Sequence, residues 1–147
     1  MFRILATALV AILPALPVLA EPVVPDYGDN TGSYPFDGEC DDPRFIGIGT
    51  SRSVDLEETG HDAADCKFHF ELGTVKLWDE AQARAATVCE AIYFGDNSSE
   101  WANDGECDDL RFTGEGVDAI LLWDDLGRDS KDCRKACEDG TALLRNY

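Results

Sequence analysis

Asp37-Gly38-Glu39-Cys40-Asp41-Asp42 is followed one residue later by Arg44-Phe45, and 67 residues on the chain repeats itself as Asp104-Gly105-Glu106-Cys107-Asp108-Asp109 and Arg111-Phe112. Held at that offset, the match extends in both directions. Gly28-Asp29-Asn30 returns as Gly95-Asp96-Asn97, and Gly47 and Gly49 return as Gly114 and Gly116. Gly60, Asp62, Asp65 and Cys66 return as Gly127, Asp129, Asp132 and Cys133. From Gly28 to Leu77 there are 21 identities in 50 positions without a gap, enough to read the chain as two copies of one unit. The unit keeps glycines, acids, an Arg-Phe pair and two cysteines, and varies most positions between Thr50 and Thr59. Acids that are kept better than the apolar pattern point to a specific task for the acids.

Around this repeat the chain divides into five stretches. Residues 1–20 have the form of a secretory signal peptide: Arg3, an apolar run, then small residues at Val18 and Ala20 before Glu21. The run is broken by Pro14 and Pro17 and is too short to span a bilayer core of about 30 Å. Residues 21–27 read as an extended, proline-rich leader, 28–78 as repeat 1, 79–91 as a helical connector and 92–147 as repeat 2. Cleavage after Ala20 leaves 30 acids against 11 basic residues, a charge of −19. The expected location is periplasmic or secreted, where disulfides persist.

Each copy is about 50 residues, a size at which a hydrophobic core is marginal and covalent staples are common. Cys40 and Cys66 stand 26 apart, as do Cys107 and Cys133, so the repeat pairs them within each copy. Cys89 and Cys137 have no counterparts in the first copy and pair by elimination. The expected fold is α+β: a small disulfide-rich tandem repeat with short helices, short strands and long ordered acidic loops. One helix is expected from Ala63 to Leu72, with Asp62 as N-cap and Gly73 as stop. Its equivalent runs from Asp129 to Asp139, stopped by Gly140. A connector helix is expected over Asp79–Ala91, carrying Cys89. Short strands are expected at Thr74–Trp78 and Ile92–Phe94, and an ordered loop over Asp37–Gly49. Val117–Leu126 reads as buried, with helix and strand both open.

The disulfides would press acidic segments together. Asp37, Asp41, Asp42, Asp62 and Asp65 form one candidate metal set, and Asp104, Asp108, Asp109, Asp129 and Asp132 the other. Hard cations take six to eight oxygens, and calcium tolerates irregular loop geometry. Backbone carbonyls near Tyr34, Gly38 and Arg44 would complete the shell. Zinc is disfavoured, because the cysteines are paired and the only histidines, His61 and His69, align with Arg128 and Ala136. A structural reading competes: Asp62 caps a helix, Asp65 sits in its first turn, and Arg44 neutralises loop acids.

Trp101-Ala102-Asn103-Asp104-Gly105-Glu106-Cys107-Asp108-Asp109, with Arg111-Phe112 and the later Asp129, Asp132 and Cys133, resembles a tandem repeat of secreted proteins of Gram-negative bacteria, where it accompanies protease-like domains. There is also a looser similarity to the calcium-binding class A repeats of lipoprotein receptors. That resemblance implies an ion held by clustered acids and an aromatic residue's carbonyl, but this chain has two cysteines per repeat where that family has six.

The charge of −18 excludes nucleic acid and anionic lipid as partners. No membrane insertion is expected after signal cleavage. No nucleophile motif is present, and the hydrophilic, duplicated carboxylates lack the apolar setting of a catalytic acid, so no enzyme is expected. The leading expectation is a secreted calcium-binding module that engages a protein or glycan outside the cytoplasm. A metal-independent acidic binder or inhibitor of a cationic protein comes second, and a carboxylate-based glycan hydrolase third.

Overall fold

In the computed structural model, residues 24–147 are described; the signal-peptide reading of 1–20 and the start of the leader lie outside them. In the first half, β1 (Phe45–Gly47) pairs antiparallel with β3 (Val75–Leu77), Phe45 facing Leu77. Between them come β2 (Val54–Asp55) and α1 (Ala63–Leu72). A connector helix, α2 (Glu80–Ala86), leads to the second half. There β4 (Phe112–Thr113) pairs antiparallel with β6 (Leu143–Leu144), Phe112 facing Leu144. β5 (Ile120–Leu121) and α3 (Ser130–Glu138) lie between those two strands. The halves meet through a third antiparallel pair, β2 with β5, in which Val54 faces Leu121. The fold is small, mixed α+β and disulfide-rich.

The helices begin where the sequence places them, but by another device. Neither the Asp62 nor the Asp129 side chain caps its helix. The Asp29 carbonyl accepts the Ala63 N–H at 2.7 Å, and Asn30 Oδ1 accepts the Ala64 N–H at 2.8 Å. Asp96 and Asn97 do the same for Ser130 and Lys131, at 2.7 and 3.1 Å. This is what the Gly-Asp-Asn motif is for. It satisfies the orphan donors of a helix from a remote loop, and so leaves the carboxylates of Asp62 and Asp129 free for other work. The close approach requires glycine: a Cβ on Gly28 would overlap the Gly60 carbonyl, and one on Gly95 the Gly127 carbonyl. α1 ends at Gly73, whose left-handed φ of 76° lets its N–H reach the His69 and Phe70 carbonyls.

Three disulfides staple this framework: Cys40–Cys66, Cys107–Cys133 and Cys89–Cys137. Two aromatic stacks fill the halves, Tyr27 on Phe45 at 5.9 Å and Phe94 on Phe112 at 5.6 Å. Val54 is buried with the second half's cluster of Phe94, Phe112, Val117 and Leu121, so the core runs across the β2–β5 junction.

Several expected boundaries change. α2 stops at Ala86, where the Thr87 hydroxyl donates to the Ala83 carbonyl at 2.7 Å. Cys89 therefore sits in a separate 3-10 turn, Cys89–Ala91, and not on the connector helix. Ile92–Phe94 forms no strand. Phe94 is buried as a stacking partner, while Tyr93 is exposed. Val117–Leu126 is not uniformly buried: it holds β5 and a 3-10 turn at Trp123–Asp125, and Ile120, Leu122 and Trp123 face solvent. The loop expected over Asp37–Gly49 contains β1.

Candidate metal centre

Consecutive aspartates in each loop take different roles. The Asp42 carboxylate is fully buried and accepts from the Arg44 backbone N–H at 2.9 Å and from the Gly60 N–H at 2.9 Å. It also accepts from the Arg44 guanidinium through Nε at 2.9 Å and Nη2 at 2.5 Å. Asp109 repeats this with Arg111 and with Gly127, whose N–H lies at 2.8 Å. A carboxylate offers about four acceptor sites, and these two are full. Asp42 and Asp109 therefore leave the expected ligand sets. They hold the Arg-Phe turn against the glycine that precedes each helix.

Asp41 and Asp62 are not satisfied. Asp62 Oδ2 accepts the Asp41 N–H at 2.8 Å, but Asp62 Oδ1 and Asp41 Oδ2 are enclosed with no hydrogen-bond partner. In the second half Asp129 Oδ2 accepts the Asp108 N–H at 3.0 Å, while Asp129 Oδ1 and Asp108 Oδ2 are enclosed without partners. Asp62 and Asp129 are 1% and 0% exposed, so no bulk water substitutes. Among the described residues these four oxygens are the only enclosed side-chain polar atoms without a partner. An unpartnered buried acceptor costs about 1–3 kcal/mol, and more when charged.

Charge compounds the cost. Burial pushes Asp41 and Asp62 up to about 6. Asp65 and Asp37 repel the Asp62 charge, and Asp37, Asp62 and Glu39 repel that of Asp41. Burial pushes Asp108 to about 7, with repulsion from Asp104, Asp129, Asp118 and Asp125, and raises Asp129 as well. Asp37 and Asp104 lie exposed, each accepting the N–H two residues on, at 3.0 and 3.1 Å. Asp65 Oδ2 accepts from Gly38 N–H at 3.2 Å, and Asp132 Oδ2 from Asn103 N–H at 2.6 Å.

The expected carbonyl ligands are partly engaged. Gly38 O accepts His69 Nε2 at 2.9 Å, and Arg44 O accepts the Trp78 N–H at 2.9 Å. Gly105 has no equivalent ring beside it, because Ala136 stands in place of His69. Cys40, Asp62 and Cys66 bring three potential ligand atoms together, as do Cys107, Asp129 and Cys133. The sulfurs are oxidised, so thiolate chemistry is closed to them. The Cys66 and Cys133 sulfurs lie 3.7 and 3.6 Å from Asp62 Oδ2 and Asp129 Oδ2.

Two acids near the second centre escape identity matching. Asp118 stands where the first half has Ser51, and buried Asp125 where it has buried Glu58. Comparing charge type at the offset of 67, and not identity alone, exposes Asp125, whereas Asp118 faces an uncharged Ser51 and is found only in three dimensions. No family model, no curated protein and no solved structure matches this chain.

Proposed function

We propose that the chain is an extracytoplasmic tandem-repeat module that binds two calcium ions, one per repeat, and presents the acidic loops so ordered to a protein or glycan partner. The carrying observation is the quartet of enclosed, unpartnered carboxylate oxygens on Asp41, Asp62, Asp108 and Asp129. Two pairs of residues, 67 apart, show the same defect in the same hydrogen-bonded setting, which a chance packing fault would not reproduce. A dication removes both costs, supplying charge and a coordination partner to each oxygen. Asp37 and Asp65, or Asp104 and Asp132, stand close enough to be felt and so complete an all-oxygen set suited to calcium. The tandem-repeat reading is supported by the recurrence of loop bonds at the same offset, such as Asp29 to Gly60 and Asp96 to Gly127, both 2.9 Å. Three disulfides, and no helix among the described residues long and apolar enough to cross a membrane, fit a place outside the cytoplasm.

Native mass spectrometry of the oxidised protein, with calcium and with chelator, tests this. Two calcium ions per chain are expected, with none in Asp62→Asn plus Asp129→Asn. Sodium chloride at equal ionic strength must not reproduce the accompanying rise in melting temperature. If millimolar calcium adds no mass and does not alter the melt, the module is metal-free, and tight, salt-sensitive binding to a basic protein becomes the better account.

A further inference from the structure

In a chain of charge −18, Arg52, Arg128, Arg134 and Arg145 are the described arginines outside any ion pair, and two of them, Arg52 and Arg145, line one cavity. Among the described residues neither Arg52 nor Arg145 forms an ion pair, whereas Arg44, Arg84 and Arg111 each do. Arg145 is 7% exposed. Its guanidinium has five N–H donors, and one bond within the protein is made, from Nη2 to the Phe45 carbonyl at 3.2 Å. None of its nitrogens is both enclosed and unpartnered. Arg145 lines a cavity of about 310 Å³ at the junction of the halves, and its remaining donors have no partner within the protein.

The rest of that cavity is complementary to a particular ligand. Arg52 lies on its wall with its guanidinium carbon 5.6 Å from the Trp123 ring centre. Ile48, Val54, Leu110 and Trp123 provide apolar surface, and no aspartate or glutamate lines it. Burial lowers Arg145 to about 10, which leaves it cationic at neutral pH. A buried, fixed, planar fork matches a carboxylate better than it matches water. The volume is at the lower end for small-molecule sites.

We propose that this cavity binds a small monocarboxylate with a compact apolar or ring body, its carboxylate held between Arg145 and Arg52 and its body against Trp123 and the aliphatic wall. The site uses none of the acidic-loop residues and stands independently of the calcium reading.

Benzoate, benzamide, acetate and inorganic phosphate serve as probes, titrated into the oxidised, 15N-labelled protein in calcium and again in chelator. Benzoate is expected to saturate, shifting the Trp123 indole and Arg145 Nε signals, with the neutral isostere benzamide causing no such shift. Acetate, lacking the body, binds more weakly. Arg52→Ala weakens benzoate about tenfold. Arg145→Lys does the same while keeping the charge and a donor for the Phe45 carbonyl, and an unchanged melting temperature shows that the loss is not unfolding. Benzamide binding as well as benzoate, phosphate displacing benzoate at equal concentration, or both variants binding benzoate normally would each overturn the proposal. So would the absence of any shift at about 10 mM benzoate.

Discussion

Adjacent aspartates with identical sequence prospects end in opposite states. Asp42 is a saturated anchor and Asp41 an unsatisfied ligand candidate, and only the tertiary position of Gly60 and Asp62 separates them. Sequence spacing gathered the right segments but could not resolve this, because acceptor saturation is a three-dimensional property. The difference predicts contrasting neutral substitutions. Asp62→Asn plus Asp129→Asn removes buried charge, so in chelator it stabilises by about 1–2 kcal/mol while abolishing the calcium response. Asp42→Asn breaks a pair whose Arg44 side is 37% exposed, and destabilises by about 2 kcal/mol with or without calcium. Urea melts in both conditions check the signs. The pH dependence follows from the same groups. Asp41, Asp62 and Asp108 have folded values of about 6 to 7 against 3.8 for the free side chain, so between these limits the folded state holds more protons. The metal-free protein therefore gains stability as pH falls from about 8 to about 5, and loses it on the way back up. On the proposed calcium reading the ion must displace those protons, so the stabilisation it brings should be full near pH 8 and gone by about pH 5. Asp29, held down to about 2 by its hydrogen bond from His61, acts in the opposite sense but only below about pH 4. Thermal melts across that range, with calcium and with chelator, should converge at the acidic end.

Elements were legible where a stop signal sits beside a helix former, and illegible where they are two or three residues long. Gly73 and Gly140 mark the helix ends, and α1 and α3 lie within a residue of their expected bounds. Strands as short as β2 and β5 show no alternation to read. Asp62 and Asp129 mark the helix starts in the sequence, but the capping groups lie 34 residues upstream, a link that local sequence does not carry. In the alanine-rich connector, propensity alone carries on past Ala86, whereas Thr87 ends the helix by a tertiary bond: its Oγ accepts the Leu144 N–H of β6 at 2.9 Å. Thr87→Val removes both that bond and the one to Ala83 at nearly constant volume. It should cost about 1–2 kcal/mol in a urea melt and speed amide exchange at Leu144 above all.

For the whole molecule the decisive question is whether the halves are separate bodies. Each has its own stack and its own disulfide, which alone would predict two independent melts. The junction argues otherwise. β2 and β5 occupy equivalent places in the halves and pair with each other, Val54 facing Leu121. Leu121 is 2% exposed and Val54 is packed into the partner half's cluster, so neither half closes its core alone. Equivalent positions also reach across: Trp78 Nε1 donates to the Leu144 carbonyl at 3.2 Å, and Arg145, 67 residues later, to that of Phe45. Units of half this size are marginal on a hydrophobic core alone, so with the shared core intact the unmodified protein should unfold in one transition. Leu121→Ala opens a cavity at the centre of this junction and should cost about 2–4 kcal/mol. Its diagnostic effect is on cooperativity. With all three disulfides intact and calcium bound, the variant's calorimetric trace should split, because each loop keeps its ion and its staple after the shared core is lost. A single sharp transition in Leu121→Ala, merely shifted to lower temperature, would mean that the loops and disulfides couple the halves and that the β2–β5 core does not.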